Sequence, residues 1–358
     1  MRRWQVFTMV GLIILAIIWQ TDAFALKTTA MILFAIDPSV VGLVLAMPAI
    51  AMPFPQDPVL TSVVVAYKNP RLIQDLAVPR SPVGKAEFKY KKYALADNFT
   101  IPDTLVGRTS RPGLVNFGYT EIPNCCEDYG LDGLVPQKDI DNAPEGYDPI
   151  AHQATSVMDL VLLAREKRCA DLLFNNNSYA ATNRVALAGN DQWSDPVNSD
   201  PIRAILNALD LMIMRANKMV IGQRVWTTLR QHPKVMKATN KNSGDSGAAA
   251  REAVAEQLEL EEIIVGQSYQ NTAKKGQAAT VARLWGNFCS LIYQDPLATV
   301  TGDRMTFALT AQHGDRISGK NPDPNCGLKG GITVRSGEIV KEFISADDLG
   351  YLFSNVIA

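Results

Sequence analysis

The 358-residue sequence predicts an α+β fold. Three segments carry this prediction. Residues 147–175 have the Asp-Pro start and apolar spacing of a long helix, residues 84–122 contain two alternating segments typical of a hairpin, and residues 332–344 alternate apolar and polar side chains as a strand does. Helices and strands mixed in this order indicate a fold in which both kinds of element share a core.

The composition is that of a folded globular protein. Apolar residues make up 47% of the chain and charged residues 20%, which excludes wholesale disorder, and the length favours about two domains. With 35 basic and 36 acidic residues, the formal net charge is -1. The overall charge therefore gives no argument for binding nucleic acid, although a local basic patch stays open.

The N-terminal residues 1–51 differ from the rest of the chain. Residues 10–18 are apolar, and Ala23-Phe24-Ala25 has the small-x-small pattern of a signal peptidase site, which is typical of an export signal. A second apolar stretch, residues 30–50, would also allow a membrane hairpin. The composition changes abruptly near residue 52. Met47 and Met52 are therefore plausible true starts, and a misassigned start codon is the alternative interpretation.

The first elements after this extension are predicted as extended. Residues 59–66 are rich in β-branched side chains and lie between two prolines, which predicts an extended arm or a short strand. Residues 84–95 and 114–122 both alternate in side-chain character and flank a polar stretch, residues 97–113. The resulting hairpin has little core of its own, so we expect it to lie against another surface.

The strongest predicted helix covers residues 147–175. Asp148 can accept a hydrogen bond from a first-turn amide, and Pro149 suits the first helical position. Val157 and Val161 recur at helical spacing on the expected buried face. The charged residues 165–168 predict a solvated face.

The remaining chain is predicted as an alternating helix and strand module. Asp200 and Pro201 repeat the helix start, with Ile205, Leu209 and Met212 as the buried stripe. A helix from 248 to 260 is expected to begin with a cap from Asp245 or Ser246. The other expected elements are a strand at 218–222, a helix at 223–233 ended by Pro233, and strands within 261–269, 282–296, 304–312, 332–344 and 349–358.

The cysteines and histidines predict no metal site and no cofactor. The five cysteines are odd in number and include the adjacent pair Cys125 and Cys126, so a disulfide scaffold is disfavoured and a reducing compartment fits better. Zinc sites usually take ligands in close pairs such as Cys-x-x-Cys, and neither the cysteines nor the three histidines are spaced in this way. Each cysteine is expected to act as a small packed hydrophobe.

One four-residue match raises the possibility of a hydrolase. Residues 244–247 read Gly-Asp-Ser-Gly, the sequence around the nucleophile of trypsin-like proteases, which would make Ser246 the nucleophile. The helix-prone residues that follow it and the absence of that family's histidine motif argue against this assignment. The Asp191, Asp195 and Asp200 group lacks the spacing of a calcium loop and is expected to form turns and helix starts. No catalytic, cofactor-binding or metal-binding residue is predicted.

The order of elements resembles that of the major capsid proteins of tailed bacteriophages, whose fold is shared with encapsulins. That order is an extended arm, a long hairpin, a long helix, an α/β module and returning terminal strands. The resemblance covers about residues 52–358 and extends over whole segments. The closest segments are MPFPQDPVLTSVVVAYKNPRLIQDLAVPRSPVGKAEFKYKKYALADNFTIPDTLVGR, CCEDYGLDGLVPQKDIDNAPEGYDP, GNDQWSDPVNSDPI, MVIGQRVWTTLRQHPKVMKA, ARLWGNFCSLIYQDP and SADDLGYLFSNVIA.

The resemblance implies a division of the chain into the parts of a phage-capsid fold. Residues 1–51 would be an extension outside the family pattern. The implied parts are an N-terminal arm at 52–80, an extended loop at 81–120, a peripheral domain at 121–199 with a spine helix at 147–175, an axial domain at 200–315, and C-terminal strands at 316–358 that return to the peripheral domain. The extended loop would lie over a neighbouring subunit, which agrees with the coreless hairpin.

The resemblance also implies a function. The chain would be a structural protein without enzymatic activity, a subunit that assembles as hexamers and pentamers into an icosahedral virion shell around double-stranded DNA. Portal, scaffolding or head-completion proteins would be its other partners, and DNA would be contacted non-specifically. The alternatives are an encapsulin-like compartment shell and a secreted serine hydrolase that uses Ser246.

Assembly in the host cytoplasm would be defeated by an export signal and gives no role to a membrane. A misassigned start is therefore favoured for residues 1–51, with degenerate prophage sequence as the next interpretation.

Overall fold

The computed structural model describes residues 54–93, 100–115, 118–239, 247–274, 276–302 and 304–358. Residues Gln56–Ala358 form one compact unit. The predicted extension, residues 1–51, lies outside the described residues. Within the described ranges, no helix has both the length and the apolar character needed to cross a membrane.

Helices and strands are mixed along the chain, as predicted. The helices are α1 (Pro58–Ala66), α2 (Gln74–Ala77), α3 (Gln137–Asp141), α4 (Pro149–Leu173), α5 (Pro201–Leu211), α6 (Gln223–Gln231), α7 (Pro233–Thr239) and α8 (Arg251–Gln257). The strands are β1 (Arg80–Val83), β2 (Glu87–Tyr93), β3 (Tyr119–Cys125), β4 (Glu127–Pro136), β5 (Arg184–Ala186), β6 (Lys218–Gly222), β7 (Glu262–Gly266), β8 (Tyr269–Asn271), β9 (Val281–Arg283), β10 (Cys289–Ile292), β11 (Ala308–His313), β12 (Ile317–Asp323), β13 (Gly331–Ile344) and β14 (Gly350–Ser354).

Three helices begin with an aspartate cap followed by proline. The predicted caps of α4 and α5 are confirmed, because Asp148 accepts a hydrogen bond from the amide of Ile150 and Asp200 accepts one from the amide of Arg203. Asp57 caps α1 in the same way, accepting from the amides of Val59 and Leu60. A side-chain oxygen at this position satisfies amides that have no partner within the helix.

The prediction that residues 59–66 are extended is wrong, because they form α1. The β-branched valines favour a strand locally, but the Asp57-Pro58 start provides a cap and a preset first turn. Leu60 and Val64 are buried in one apolar cluster with Met158 and Val161 of α4. This tertiary packing decides the conformation where local propensity is weak.

Replacing Asp57 with alanine should lower the free energy of unfolding of the unassembled subunit by about 1 kcal/mol, because α1 loses its cap. Asp57 also lies 2.9 Å from the ammonium of Lys320, a half-exposed pair that contributes little. Asn at this position keeps the cap and loses the pair, so D57N should stay within about 0.5 kcal/mol of the native protein in urea titration. Equal stability of D57A and the native protein would contradict this role.

Two five-stranded sheets organise the fold. The first has the order β1-β11-β13-β12, with β4 paired to β13, and the second has the order β5-β14-β10-β6-β7. Helix α4 packs against β4 and β13 of the first sheet. The second sheet and helices α5 to α8 supply most of the largest buried apolar cluster, which includes Trp193, Trp226 and Phe353.

The sheets divide the chain differently from the expected domain boundaries. Within the expected axial domain, 200–315, strand β11 joins the first sheet through β1 and β13. Within the expected C-terminal return, 316–358, strand β14 lies between β5 and β10 of the second sheet. The final strand therefore lies inside the sheet that contains the α/β module.

Two predicted helix boundaries differ from the observed ones. Helix α8 begins at Arg251 with Ala250 at the cap position and without a side-chain cap, so Asp245 and Ser246 do not serve as its cap. Those two residues lie outside the described residues. Pro233 ends the preceding helix and also begins α7. Proline lacks an amide hydrogen, so it disrupts the interior of a helix but suits the first helical turn.

Candidate interaction surfaces

The predicted hairpin is formed by β2 and β3. Their register runs from Glu87 opposite Cys125 to Tyr93 opposite Tyr119. The root of the hairpin is fixed to the first sheet, because the rings of Phe88 and Tyr90 lie 5.7 and 4.6 Å from the ring of Phe343. The root of the hairpin is thus packed against its own subunit, in contrast to the tip.

The described tip of the hairpin, residues 100–115, is exposed throughout. Ile101 is 94% exposed, Leu105 88% and Leu114 98%. Arg108 and Arg111 lie in the same segment, and neither makes an ion pair with another described residue. Clusters of exposed large apolar side chains mark interaction sites, and arginine is enriched at protein interfaces, so this segment is a candidate docking surface.

A second exposed surface is acidic. Residues 127–148 contain seven acidic side chains and one basic side chain, Lys138. Three of the acidic groups are compensated, since Glu127, Asp132 and Asp141 pair with Lys341, Arg335 and Lys329. Three others are exposed and have no ion-pair partner in the described part of the chain, namely Asp128, Asp139 and Glu145. This surface is complementary in charge to the arginines of the hairpin tip.

The predicted solvated face at residues 165–168 is wrong for Arg165 and Glu166, which are both fully buried. Glu166 Oε1 accepts hydrogen bonds from Trp285 Nε1 at 2.7 Å and Ser268 Oγ at 3.1 Å. Its Oε2 accepts from the amide of Gln74 at 2.8 Å, and both oxygens accept from the amide of Ile73. Burial raises the pKa of Glu166, and these neutral donors oppose that shift.

Glu166 therefore fastens three separate segments to α4. Ser268 and Trp285 flank strands β8 and β9, which form a small second hairpin, and Ile73 and Gln74 begin α2. Gly266 allows the close approach of Trp285, because a β-carbon at this position would lie 2.2 Å from the indole ring. A buried carboxylate is stable only when its oxygens are hydrogen-bonded, and this requirement fixes all three segments.

Arg165 joins the same region to the first sheet. Its guanidinium donates to Asp75 at 2.5 Å and to the hydroxyl of Thr310 at 3.0 Å. Burial raises the pKa of Asp75, but the charges of Arg165 and Arg80 outweigh this effect and lower it overall. Arg80 also donates to Glu338 at 2.8 Å. The segment that leads into the first hairpin is thus held by ion pairs to α4 and β13.

The buried pair of Ser199 and His232 lacks the arrangement of a catalytic pair. Ser199 Oγ lies 3.1 Å from His232 Nε2, and both side chains are buried. The amide of Lys234 donates to His232 Nδ1, so Nε2 carries the proton and cannot accept one from the serine. Ser199 instead donates to the carbonyl of Asp195 at 2.6 Å. Ser246, the candidate nucleophile, lies outside the described residues.

Two of the three aspartates that suggested a cation site have structural roles. Asp195 accepts from the amides of Val197 and Asn198, which forms a turn, and Asp200 caps α5. Among the residues whose positions are described, no group of His, Cys, Asp or Glu could hold a metal ion.

The cysteines are all free thiols, and three of them are packed as predicted. Cys126, Cys169 and Cys289 are buried, and burial raises the pKa of Cys169 to about 12. A thiol with such a pKa stays protonated and unreactive at neutral pH. Cys125 differs from the expectation because it is exposed, and Cys326 is half-buried.

Comparisons with known proteins show consistent similarities. Residues 171–287 match the family model described as "Phage major capsid protein E". The chain is 51% identical over 306 residues to the major capsid protein of Pseudomonas phage JBD67, and the match covers 86% of this chain and 98% of the relative.

Two solved structures share the fold. A phage-related protein from Bordetella bronchiseptica RB50 is 22% identical with a TM-score of 0.68, covering 85% of this chain and 98% of that one. The capsid of cyanophage P-SCSP1u is 12% identical with a TM-score of 0.50, covering 89% and 98%.

Proposed function

The chain belongs to the major capsid proteins of bacteriophages, and we propose that its copies assemble as hexamers and pentamers into the icosahedral shell around the double-stranded DNA of a tailed phage or prophage. Family membership confirms the resemblance and the fold predicted from the sequence, and it favours them over the encapsulin and serine hydrolase alternatives. A structural family also argues against a catalytic role.

The observation that carries the assembly proposal is the exposed hairpin tip. Ile101, Leu105 and Leu114 are almost fully exposed, although each would gain about 1.5 to 3 kcal/mol by burial. The root of the hairpin is packed on its own subunit, whereas the described tip adds no residue to the buried apolar clusters. We propose that a neighbouring subunit covers it. When each copy makes this same contact with the next copy, the copies form a closed ring. Every tip and every receiving surface in that ring is then occupied.

The acidic surface at residues 127–148 is the proposed receiving surface for the charged part of the tip. Arg108 and Arg111 would meet the unpaired carboxylates that follow β4 in the neighbour, Asp139 and Glu145. Opposite charges that are unpaired in the subunit steer the encounter and set the register of the contact. The apolar side chains of the tip would provide most of the affinity.

The buried network holds the segment that leads into the hairpin in one place on its own subunit. Residues 73–80 lead into the hairpin, and the contacts of Glu166, Arg165 and Arg80 tie them to α4 and β13. A contact repeated across a closed shell needs the same geometry in each copy. A network with several charge-assisted hydrogen bonds provides this rigidity more directly than apolar packing does.

We propose that the parts of the chain correspond to the parts of the phage-capsid fold. The arm would be residues 52–80, the extended loop 81–120, the peripheral domain 121–199 joined by β11, the axial domain 200–315 joined by β5 and β14, and the C-terminal strands 316–358. We place the protein in the virion after assembly in the host cytoplasm, with portal, scaffolding or head-completion proteins as further partners and packaged DNA contacted non-specifically.

Electron microscopy of the purified full-length chain tests the proposal. We expect rings of five and six subunits or closed shells, and shells that contain nuclease-resistant DNA after expression in a host. Monomers at every protein and salt concentration would contradict it. Shells that exclude DNA and enclose protein would support the encapsulin-like alternative instead.

Replacing Ser246 with alanine should leave assembly unchanged, because the site has no role in the proposed contacts. The measurement is the yield of shells by electron microscopy, compared with the native chain. Serine-directed fluorophosphonate probes should label S246A and the native chain equally. Labelling of the native chain that disappears in S246A would show a reactive serine and contradict the absence of a catalytic role.

A further inference from the structure

The hairpin of β8 and β9, residues 267–283, differs in charge from the rest of the chain. Between Ile263 and Gln294 the only charged residues are Lys274, Lys275 and Arg283, all basic, while the whole chain has a net charge of -1. Lys274 and Arg283 are exposed, and neither forms an ion pair with another described residue. Lys275 lies outside the described residues. This is the local basic patch that the overall composition left open.

The basic hairpin is anchored rather than loose. Tyr269 lies directly opposite Arg283, and the guanidinium of Arg283 lies 4.8 Å from the centre of the tyrosine ring. Below this pair, the amide of Leu284 donates to the carbonyl of Ser268 at 3.0 Å. Ser268 and Trp285 both donate to the buried Glu166. A cation–π contact therefore holds the side chain of Arg283 in place. The two ends of the hairpin are in turn bound to Glu166 of α4.

The tip of this hairpin lacks the apolar side chains that the first hairpin carries. Residues 272–280 read Thr-Ala-Lys-Lys-Gly-Gln-Ala-Ala-Thr and contain no large apolar side chain. Protein interfaces are centred on buried aromatic, aliphatic and arginine anchors. Contacts to phosphate use lysine, arginine, threonine and glutamine side chains and backbone amides. Five of the nine residues of this tip are lysine, threonine or glutamine.

We infer that the hairpin at residues 267–283 contacts phosphates of the packaged DNA through Lys274 and Arg283. The inference rests on the proposed function of enclosing DNA and names the residues that face it. The contact is independent of sequence, because the tip offers charge and hydrogen-bond donors but no side chain shaped to read base edges. A neighbouring subunit is the less suited partner, since the tip has no apolar anchor to bury.

The test compares K274Q/R283Q with K237Q/R251Q in the full-length chain. Lys237 and Arg251 are exposed residues of α7 and α8, so the control removes the same charge from another surface. Unassembled subunits are titrated with a short fluorescent DNA duplex of arbitrary sequence at increasing NaCl concentration. Each phosphate that the protein neutralises adds about 0.9 to the magnitude of the slope of log K against log salt. We expect this magnitude to be smaller by about 1.8 in K274Q/R283Q and unchanged in the control.

An unchanged slope in K274Q/R283Q would overturn the inference, as would an equal decrease in both variants, which would indicate a general effect of net charge. K274Q/R283Q that binds DNA normally but forms no shells would instead assign the hairpin to a contact between subunits. Shell formation is measured in the same preparations. Native chain that forms no shells would count against the proposed function, whereas normal shells with unchanged DNA binding would remove only this inference.

Discussion

Deletion of residues 97–113 should give a folded, soluble subunit that does not form closed shells. The described part of this segment is exposed and contributes nothing to the apolar clusters of its own subunit. Residues 94–96 and 114–118 remain to close the hairpin between β2 and β3. Thermal unfolding of the unassembled subunit should therefore stay close to native, while electron microscopy should show few or no shells.

A point variant separates the role of the tip from an effect of shortening it. R108E/R111E keeps the length of the hairpin and reverses the charges that face the proposed acidic surface. Shell yield should fall, and a compensating change of Asp139 and Glu145 to lysine should restore part of it, because opposite charges again meet. K237E/R251E, which makes the same change of charge on α7 and α8, serves as the control. Normal shells from the deletion variant would contradict the role of the tip.

Replacing Glu166 with glutamine should lower the free energy of unfolding of the subunit more than D57A, D57N or D171N does. The amide group of glutamine places N–H donors where the amides of Ile73 and Gln74 or the side chains of Ser268 and Trp285 need acceptors. Each buried donor left without an acceptor costs about 1 to 3 kcal/mol, so we expect the free energy of unfolding to fall by about 2 to 4 kcal/mol in urea titration.

Asp171 provides a matched control on the same helix. It is exposed and pairs with Lys167 one turn away, so D171N should change the free energy of unfolding by less than about 0.5 kcal/mol. E166Q should also assemble poorly, because the segments that fix the first hairpin are no longer held. Equal stability of E166Q and D171N would show that the network does not fasten the arm.

The same residue gives a pH dependence with a defined sign. Burial raises the pKa of Glu166 above its ordinary value of 4.5, so the folded state binds the proton more tightly than the unfolded state does. The stability from this proton is complete below the unfolded pKa and is lost as pH rises through the folded pKa. Native subunit should therefore lose stability relative to E166Q as pH rises above about 4.5. A constant difference across that range would contradict the raised pKa.

The sequence predicts elements whose signals are local. The caps at Asp148 and Asp200, the spine helix and the alternating strands of the first hairpin follow from side-chain chemistry within a few residues. Residues 59–66 show the limit of this approach. Their composition favours a strand, although Asp57 followed by proline is the same helix-start signal that stands at Asp148 and Asp200.

The burial of Arg165 and Glu166 could not be predicted from the sequence. A run of four charged residues is normally solvated, and the partners Asp75, Ser268, Trp285 and Glu342 lie 90 or more residues away along the chain. Only the three-dimensional fold brings these groups together. The placement of β14 in the second sheet is a long-range pairing of the same kind, whereas the exposed hairpin could be predicted because it lacks a core.

The central claim is that the first hairpin completes its burial on a neighbouring subunit. Electron cryomicroscopy of the assembled shell measures this directly. We expect density for residues 100–115 on the surface of an adjacent copy, with Ile101, Leu105 and Leu114 covered and Arg108 or Arg111 close to the acidic segment 127–148. A hairpin folded back on its own subunit, or exposed to solvent in the closed shell, would contradict the claim.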